Sequence, residues 1–256
     1  MTFRIADLEG KVFLVTGAST GIGAAVAKTL AAEGVRVAVH YNESEGAAHE
    51  VADAIGAKGC EAFLVQGDLA DPSAAQQIVT RAAEHFGHLD GLINNGGSML
   101  GRIPVMEASD DHVRKVFELN ALSLVAASRA AVPWLRRQGG TIINTTSIAA
   151  RNGGGNGAVL YAAAKAFVSS FTRGFAKEVV ADRIRVNAVA PGTILTPFHE
   201  RFSNEEQMKA MVATIPMGRA GTAEDCVGAY LYLASETLSG YVTGQVIEVN
   251  GGQLMP

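Results

Sequence analysis

Cysteine and long apolar runs are both scarce in this sequence. Its two cysteines, Cys60 and Cys226, lie far apart and outside any CxxC or metal-ligand spacing, so no disulfide and no metal site is predicted. The apolar stretch Val12–Val15 is too short for a signal-peptide core, and no run approaches the length of a membrane span. We therefore expect a protein of the reducing cytoplasm that does not associate with membranes.

Net charge and aromatic side chains are also low. The formal charge is −4 over 256 residues, and Lys and Arg form no concentrated run, so we expect no nucleic-acid partner. Aromatic residues make up 6% of the chain and hydrophobic residues 48%. A core built from Ala, Val, Ile and Leu is typical of helices packed on a parallel sheet, and small molecules are the expected partners.

Short β-branched runs alternate with helical segments along the whole chain. The predicted strands are Lys11–Thr16, Val35–Tyr41, Glu61–Gln66, Leu89–Asn94, Thr141–Thr145, Ile184–Ala190 and Val246–Val249. The predicted helices are Ile22–Ala32, Glu45–Ala57, Pro72–His85, Ser109–Leu135 and Leu160–Val180. This alternation predicts an α/β fold, a doubly wound parallel sheet of about seven strands flanked by helices. No linker interrupts it, so we expect a single domain over residues 1–256, with a lid at about residues 192–217.

A glycine turn separates the first predicted strand from the first predicted helix. Its sequence is Thr16-Gly17-Ala18-Ser19-Thr20-Gly21-Ile22-Gly23. Glycines at this place let the backbone turn tightly and approach a pyrophosphate at the helix N-terminus. The spacing alone is weak in a chain with 29 glycines, and an ordinary turn is the alternative. Its position between strand and helix favours nucleotide binding.

Tyr161 and Lys165 lie four residues apart in a predicted helix, so both project from one face. A positive charge about 5 Å from the phenol, at an effective dielectric of about 20, contributes roughly 3 kcal/mol, or about two pKa units. That shift would let Tyr161 act as an acid or base at neutral pH, although a surface pair is the alternative. Ser147 follows the strand Thr141–Thr145, at the carboxyl end of the predicted sheet, where open α/β sheets bind ligands. Its hydroxyl could donate to an oxyanion, and a turn or helix cap is the alternative.

Six motifs occur in the order found in short-chain dehydrogenases/reductases. They are the glycine turn, Asn94-Asn95-Gly96-Gly97, Asn120, Ser147, Tyr161-xxx-Lys165 and Pro191-Gly192. With Tyr241-Val242-Thr243-Gly244 and Gly251-Gly252, the chain resembles this family over essentially its whole length. The resemblance implies a Rossmann-like fold and hydride transfer between a nicotinamide cofactor and a ketone or secondary alcohol, as in β-ketoacyl carrier-protein reductases. It also implies a homotetramer, in which the two long helices pack against symmetry mates.

The resemblance assigns a role to each catalytic residue. Tyr161 would exchange the substrate proton, and Ser147 would hold the carbonyl oxygen. Lys165 would lower the tyrosine pKa and bond the nicotinamide ribose, while Asn120 would hold a water that links Lys165 to solvent. The implied cofactor-binding residues are Gly17, Ser19, Gly21, Ile22, Gly23, Tyr41, Asn42, Ser44, Asp68, Leu69, Asn95, Gly97, Tyr161, Lys165, Pro191, Gly192, Thr193, Ile194 and Thr196.

The sequence departs from the family pattern at two places. The usual Asn-Asn-Ala-Gly has glycine at position 96, which loosens the backbone without removing a functional group. Ser147 and Tyr161 are fourteen residues apart instead of the commoner thirteen, and the glycines between them can absorb the extra residue. We expect catalysis to survive both departures.

The end of the second predicted strand bears on cofactor choice. An acid there pairs with the ribose of NAD and repels the extra phosphate of NADP, and this chain has Tyr41 instead. Asn42 and Ser44 could donate to the phosphate, but no Arg or Lys is present, and Glu43 is unfavourable. We expect NADP(H) ahead of NAD(H).

Two other classes of protein remain open at this point, a nicotinamide-binding sensor without catalysis and another Rossmann-like enzyme such as a methyltransferase. The sequence does not predict the substrate. Candidate pocket walls are 98–102, 148–156 and the lid. Phe198, Phe202, Met208 and Met211 are candidate apolar contacts, and core packing is an equal alternative for each.

Overall fold

Residues 4–255 are described from a computed structural model of the chain. Seven parallel strands form one sheet in the order β3-β2-β1-β4-β5-β6-β9. The seven strands are β1 (Val12–Val15), β2 (Arg36–Tyr41), β3 (Ala62–Gln66), β4 (Gly91–Asn94), β5 (Gly140–Thr145), β6 (Ile184–Pro191) and β9 (Val246–Val249). Two short strands, β7 (Ile194–Leu195) and β8 (Gly221–Thr222), pair separately. The predicted α/β, Rossmann-like fold with about seven parallel strands is confirmed.

Helices cover both faces of the sheet. They are α1 (Gly21–Ala32), α2 (Glu45–Gly56), α3 (Pro72–Phe86), α4 (Asp110–Phe117), α5 (Ser123–Leu135), α6 (Ala149–Asn152), α7 (Val159–Val179), α8 (Pro197–Phe202), α9 (Glu205–Ala213), α10 (Ala223–Ala234) and α11 (Glu236–Ser239). Within residues 4–255, none of them is long and apolar enough to cross a membrane.

Side chains of β1 alternate between two hydrophobic cores. Phe13 and Val15 pack with α1, α2 and α10, whereas Val12 and Leu14 pack with α3, α5 and α7. Successive side chains of a strand point to opposite faces, so a continuous apolar run can be buried on both sides. The Val, Ile and Leu content of the predicted strands is explained by this double burial.

The strand order reverses between β1 and β4. From β1 the chain builds outward to β2 and β3, and from β4 it builds the other way to β5, β6 and β9. The loops that leave β1 and β4 therefore run to opposite sides and open a crevice at the carboxyl ends of these strands. Open α/β sheets bind their ligands in such a crevice.

Two helical segments differ from the sequence prediction. The predicted helix Ser109–Leu135 is divided into α4 and α5 by a π-helical turn, Glu118–Leu122. The segment at residues 192–217, predicted as a lid, contains two helices, α8 and α9, that were not among the predicted helices. Asn204 and Gln207 form a capping box at the start of α9, and their spacing is the sequence signal for that helix.

Candidate active site

A cavity of about 760 Å³ lies at the carboxyl ends of the central strands. It extends from the loop after β2, across the glycine turn, to α8 and α9. Most predicted site residues line it: Gly17, Ser19, Gly21, Ile22, Tyr41, Asn42, Ser44, Asp68, Leu69, Asn95, Gly97, Ser147, Tyr161, Lys165, Pro191, Gly192, Thr193, Ile194 and Thr196. The two predicted site residues that do not line it are Gly23 and Asn120. Gly23 packs against Gly17, and Asn120 lies behind Gly97, so each is next to a residue that lines the cavity.

The glycine turn has a backbone that larger residues would not allow. Gly17 and Gly21 have φ values of 60° and 56°, in the left-handed region. A Cβ on Gly23 would lie 2.2 Å from the Gly17 carbonyl oxygen, so α1 packs against the turn only because Gly23 has no side chain. Thr20 precedes α1 and makes no side-chain cap, which leaves backbone N–H groups of the first turn free to bind an anion. The turn therefore fits a pyrophosphate.

Three side chains hold the glycine turn in place, and the sequence pattern predicted a role for only one of them, Asn95. Asn95 Nδ2 donates to the carbonyl oxygens of Thr16 and Gly17 at 3.0 and 3.1 Å. Thr16 Oγ1 accepts from the backbone N–H groups of Asn95 and Gly96 at 2.9 and 3.0 Å. His40 is the third, and it was missed together with Thr16.

His40 binds the glycine turn through a neutral ring. The Gly17 N–H donates to His40 Nδ1 at 2.9 Å, so Nε2 carries the proton and donates to the Gly67 carbonyl oxygen at 3.0 Å. Burial lowers the pKa of His40, against the hydrogen bond to Gly67 and the charge of Asp68. A polar residue inside the apolar run of β2 was the signal that could have identified it.

Helix α7 carries the proposed catalytic pair. Lys165 Nζ lies 5.7 Å from the centroid of the Tyr161 ring and donates to the Thr145 carbonyl oxygen at 2.8 Å. The long predicted helix thus places both side chains at the cavity, one turn apart, as their spacing indicates. Ser147 lines the same wall, where its hydroxyl also accepts from the Ala149 N–H at 3.1 Å.

The pKa of Tyr161 shifts in the opposite direction to the one expected. Burial raises the pKa of Tyr161 to about 12, and only an interaction with the Ser147 side chain works against that rise. Burial also lowers the pKa of Lys165 to about 8. The prediction from sequence considered the charge of Lys165 but not the desolvation of the Tyr161 phenol. In the folded protein, desolvation has the larger effect on the pKa of Tyr161. With a pKa of about 12, the phenol of Tyr161 is protonated at neutral pH and holds its proton more tightly than a free tyrosine does.

Asn120 lies behind the cavity, in the π-helical turn. Its amide accepts from the Ser98 N–H at 3.1 Å and donates to the Ser98 carbonyl oxygen at 2.7 Å and the Val116 carbonyl oxygen at 2.9 Å. A Cβ on Gly97 would lie 2.6 Å from Asn120 Oδ1 and 3.2 Å from Lys165 Nζ. Gly97 thus lets Asn120 approach Lys165. Single π-helical turns are frequent at functional sites.

Both departures from the family pattern are accommodated. A Cβ on Gly96 would lie 2.3 Å from Leu69 Cδ1, so Leu69 occupies the space that an alanine methyl would need. Between Ser147 and Tyr161, glycines 153, 154 and 157 have φ values of 80°, 71° and 73°. These left-handed positions turn the longer loop so that Ser147 and Tyr161 line one cavity.

The two ends of the cavity differ in charge. The end near β2 and β3 has Glu43 and Asp68 and no Lys or Arg, as the sequence indicated. The other end, near α8 and α9 of the predicted lid and hereafter the lid end, has Arg102, His199 and Arg201. Of the four predicted apolar contacts, Phe198 and Met211 line the cavity, whereas Phe202 and Met208 do not. The Phe198 ring centroid lies 5.5 Å from that of Tyr161.

Comparisons with known proteins agree with this geometry. Residues 17–253 match the protein family described as enoyl-(acyl carrier protein) reductase. The chain is 36% identical over 250 residues to 3-oxoacyl-(acyl-carrier-protein) reductase of Escherichia coli, covering 97% of this chain and 99% of that protein.

Two solved structures are similar over nearly the whole chain. An NADH-dependent reductase, A1-R', complexed with NAD, is 35% identical with a TM-score of 0.88, over 99% of this chain and 100% of that one. A short chain dehydrogenase from Burkholderia cenocepacia in complex with NADP is 33% identical with a TM-score of 0.90, over 96% of this chain and 99% of that one.

The fold and these relatives define an oxidoreductase that uses a nicotinamide cofactor. The chain belongs to the short-chain dehydrogenase/reductase family.

Proposed function

We propose that this protein transfers a hydride between NADP(H) and a ketone or secondary alcohol, with Tyr161 as the general acid/base. The observation that carries the proposal is the placement of Tyr161, Lys165 and Ser147 in one cavity with the glycine turn. The bound nicotinamide would supply or accept the hydride. The turn fits its pyrophosphate because α1 begins there without a side-chain cap and Gly23 leaves no Cβ in the way.

The chain's own residues would move and stabilise the proton. The Ser147 hydroxyl donates to the carbonyl oxygen of the substrate and orients it toward Tyr161. Tyr161 donates its phenolic proton as negative charge develops on that oxygen. The Lys165 ammonium, 5.7 Å from the ring, stabilises the phenolate that remains. Asn120 fixes the Ser98 backbone and, through Gly97, the surroundings of Lys165.

The proposal is tested with Tyr161→Phe. Removing the hydroxyl should lower the turnover of a ketone by about 10²- to 10⁴-fold, since that is the usual contribution of a general acid. NADPH binding, followed by fluorescence, should change little. Tyr241→Phe is the matched control, because Tyr241 is fully exposed and lies outside the cavity. Full turnover by Tyr161→Phe would refute the assignment.

The preference for NADP(H) is supported by Tyr41, which stands where an acid would repel the phosphate. Glu43 lines the cavity beside it and is the main feature that opposes phosphate binding. Glu43→Gln should therefore raise the ratio of NADPH to NADH efficiency. Glu45→Gln removes the same charge two residues on, outside the cavity, and should leave the ratio unchanged. An NADH preference in the unaltered enzyme would reverse the assignment.

Three further properties remain predictions: a single domain over residues 1–256 with a lid at 192–217, a cytoplasmic location, and a homotetramer. Support for the tetramer comes from apolar side chains exposed on the two segments that were predicted as long helices. Leu122 is 47% exposed, and Phe167 is 38% exposed and stacks on Phe171. Packing between copies would bury them. Light scattering of the purified protein gives the number of subunits directly.

A further inference from the structure

The lid end of the cavity contains cations without counter-ions. Arg102, in the loop after β4, and Arg201, at the end of α8, both line it. Within residues 4–255, neither forms an ion pair with a carboxylate. The acids that line the cavity, Glu43 and Asp68, follow β2 and β3, on the other side of the switch point. Positive charge is therefore concentrated at the lid end of the cavity.

In the described part of the chain, Arg102 is held in place by neutral acceptors only. Its Nε donates to the Phe202 carbonyl oxygen, Nη1 to the Asn156 carbonyl oxygen at 3.3 Å, and Nη2 to Ser203 Oγ at 3.4 Å. A guanidinium has five N–H groups, so two stay free, and its charge is not neutralised. These contacts order the side chain before any ligand arrives, which lowers the entropy lost on binding.

Arg102 is connected to Tyr161 through a short series of side-chain contacts. Ser203 Oγ lies 3.4 Å from Arg102 Nη2 and 3.0 Å from His199 Nδ1, so the Arg102 and His199 side chains are neighbours. His199 neighbours Phe198, with ring centroids 5.5 Å apart, and Phe198 lies 5.5 Å from the Tyr161 ring. A small molecule with its carbonyl at Tyr161 could therefore reach Arg102 with its other end.

We propose that the substrate carries a negatively charged group, a carboxylate or a phosphate, which Arg102 and Arg201 bind at the lid end of the cavity. This inference rests on the proposed function. Arginine matches both groups, since its planar fork can make two parallel hydrogen bonds to either. Because Arg102 also contacts Phe202 and Ser203, binding of the anion is coupled to the position of α8.

The test compares ketones that differ only in charge. Levulinate with methyl levulinate probes a carboxylate, and dihydroxyacetone phosphate with dihydroxyacetone probes a phosphate. Cofactor oxidation gives kcat/KM with NADPH and NADH. We expect the anion of at least one pair to be preferred by about tenfold or more. The pair that shows the preference identifies the group. Equal or better turnover of the neutral member in both pairs would overturn the proposal.

Arg201→Gln is easier to interpret than a substitution of Arg102. The Arg201 side chain is exposed and makes no hydrogen bond within residues 4–255, so its removal breaks no contact of the fold. It should remove most of the preference by raising KM for the anion, with little change for the neutral ketone. Lys209→Gln removes one charge from α9, at a residue that does not line the cavity, and should keep the preference. A preference unchanged in Arg201→Gln would count against the site.

Failure of the proposed function gives a different result. If neither anionic nor neutral ketones oxidise the cofactor, the proposed hydride transfer is wrong. Calorimetry with glutarate and inorganic phosphate still measures binding at the anion site. Binding that is weakened in Arg201→Gln and kept in Lys209→Gln supports the site. Absence of binding by both probes refutes it.

Discussion

The Lys165 ammonium is buried at the cavity wall, where its only hydrogen-bond acceptor within residues 4–255 is the Thr145 carbonyl oxygen. Burial lowers its pKa from the usual value of about 10.4 to about 8. The unfolded chain therefore binds more protons between those two values, so stability rises with pH across that window. Below about pH 8 the folded protein carries the full penalty of the buried charge.

Lys165→Met should therefore stabilise the protein while it abolishes turnover. The relieved penalty is about 3 kcal/mol, less about 1 kcal/mol for the lost hydrogen bond. Denaturant unfolding at neutral pH should show a gain on the order of 2 kcal/mol that shrinks as pH rises above about 8. Lys177→Met, at an exposed position of the same helix, should give neither effect. A destabilised Met variant would show that the ammonium is stabilising where it lies.

His40 predicts a second pH dependence, at acid pH. Its folded pKa is lowered by burial, so below the unfolded value of about 6.5 the unfolded chain binds one more proton. Stability should thus fall as pH falls below about 6.5, and protonation of Nδ1 would remove the acceptor for the Gly17 N–H. Denaturation midpoints at about pH 7.5 and about pH 5.5 measure the loss.

The side chain introduced by His40→Gln can accept and donate hydrogen bonds but does not titrate. The loss of stability between the two pH values should be smaller in His40→Gln than in the unaltered protein. His49→Gln, at an exposed position of α2, should keep the full loss. Identical pH dependence in all three proteins would exclude His40 as the titrating group.

The difference between Tyr161 and His40 shows which residues a sequence can predict. Tyr161 and Lys165 were predictable because both lie on one helix, where a spacing of four fixes their relation. His40 and Gly17 are 23 residues apart and meet only through the pairing of β1 with β2, so no local pattern marks them. The predicted direction of the Tyr161 pKa shift was wrong for a similar reason, since burial depends on the packed fold.

At the scale of elements, the glycine turn and α1 have to fit together closely. Gly23→Ala would place a methyl group 2.2 Å from the Gly17 carbonyl oxygen and 2.5 Å from Asn95 Nδ2. Backbone must shift to relieve that contact, which should destabilise the protein by about 1 to 3 kcal/mol. The displaced turn should also weaken NADPH binding by a larger factor than it lowers kcat.

Gly46→Ala is the matched control for Gly23→Ala. Gly46 is also near the start of a helix, and a Cβ there would meet nothing within 4 Å. That change should stabilise the fold by about 0.4 to 1 kcal/mol and leave cofactor affinity unaltered. If Gly23→Ala also gained stability, the close packing of α1 on the turn would be wrong.

Strands were predicted more accurately than the connections between them. A strand buried on both faces, such as β1, is a continuous apolar run and easy to recognise. All seven predicted strands lie within about two residues of the observed ones, including the less buried edge strands β3 and β9. The π-helical turn was not predictable, because it depends on the amide of Asn120 bonding to Ser98, in a distant loop. The capping box of α9 was present in the sequence at Asn204 and Gln207 and was overlooked.

For the molecule as a whole, cofactor binding should be measurable as thermal stability. The cavity is lined by the loops after β1, β2, β3, β4, β5 and β6, so a ligand that spans it contacts both halves of the sheet. A ligand at 100 times its dissociation constant that binds only the folded state adds about 2.7 kcal/mol. For a chain of this length that corresponds to a rise in Tm of about 5 to 10 °C.

The pattern across variants separates the parts of the site. At equal concentrations NADPH should raise Tm more than NADH, and Glu43→Gln should widen the difference. Tyr161→Phe should keep the full rise, because it removes a proton donor and leaves the glycine turn intact, whereas Gly23→Ala should lose most of it. A Tm unmoved by millimolar NADPH and NADH alike would contradict the cofactor site itself. A rise that survives in Gly23→Ala would instead place the pyrophosphate away from the turn.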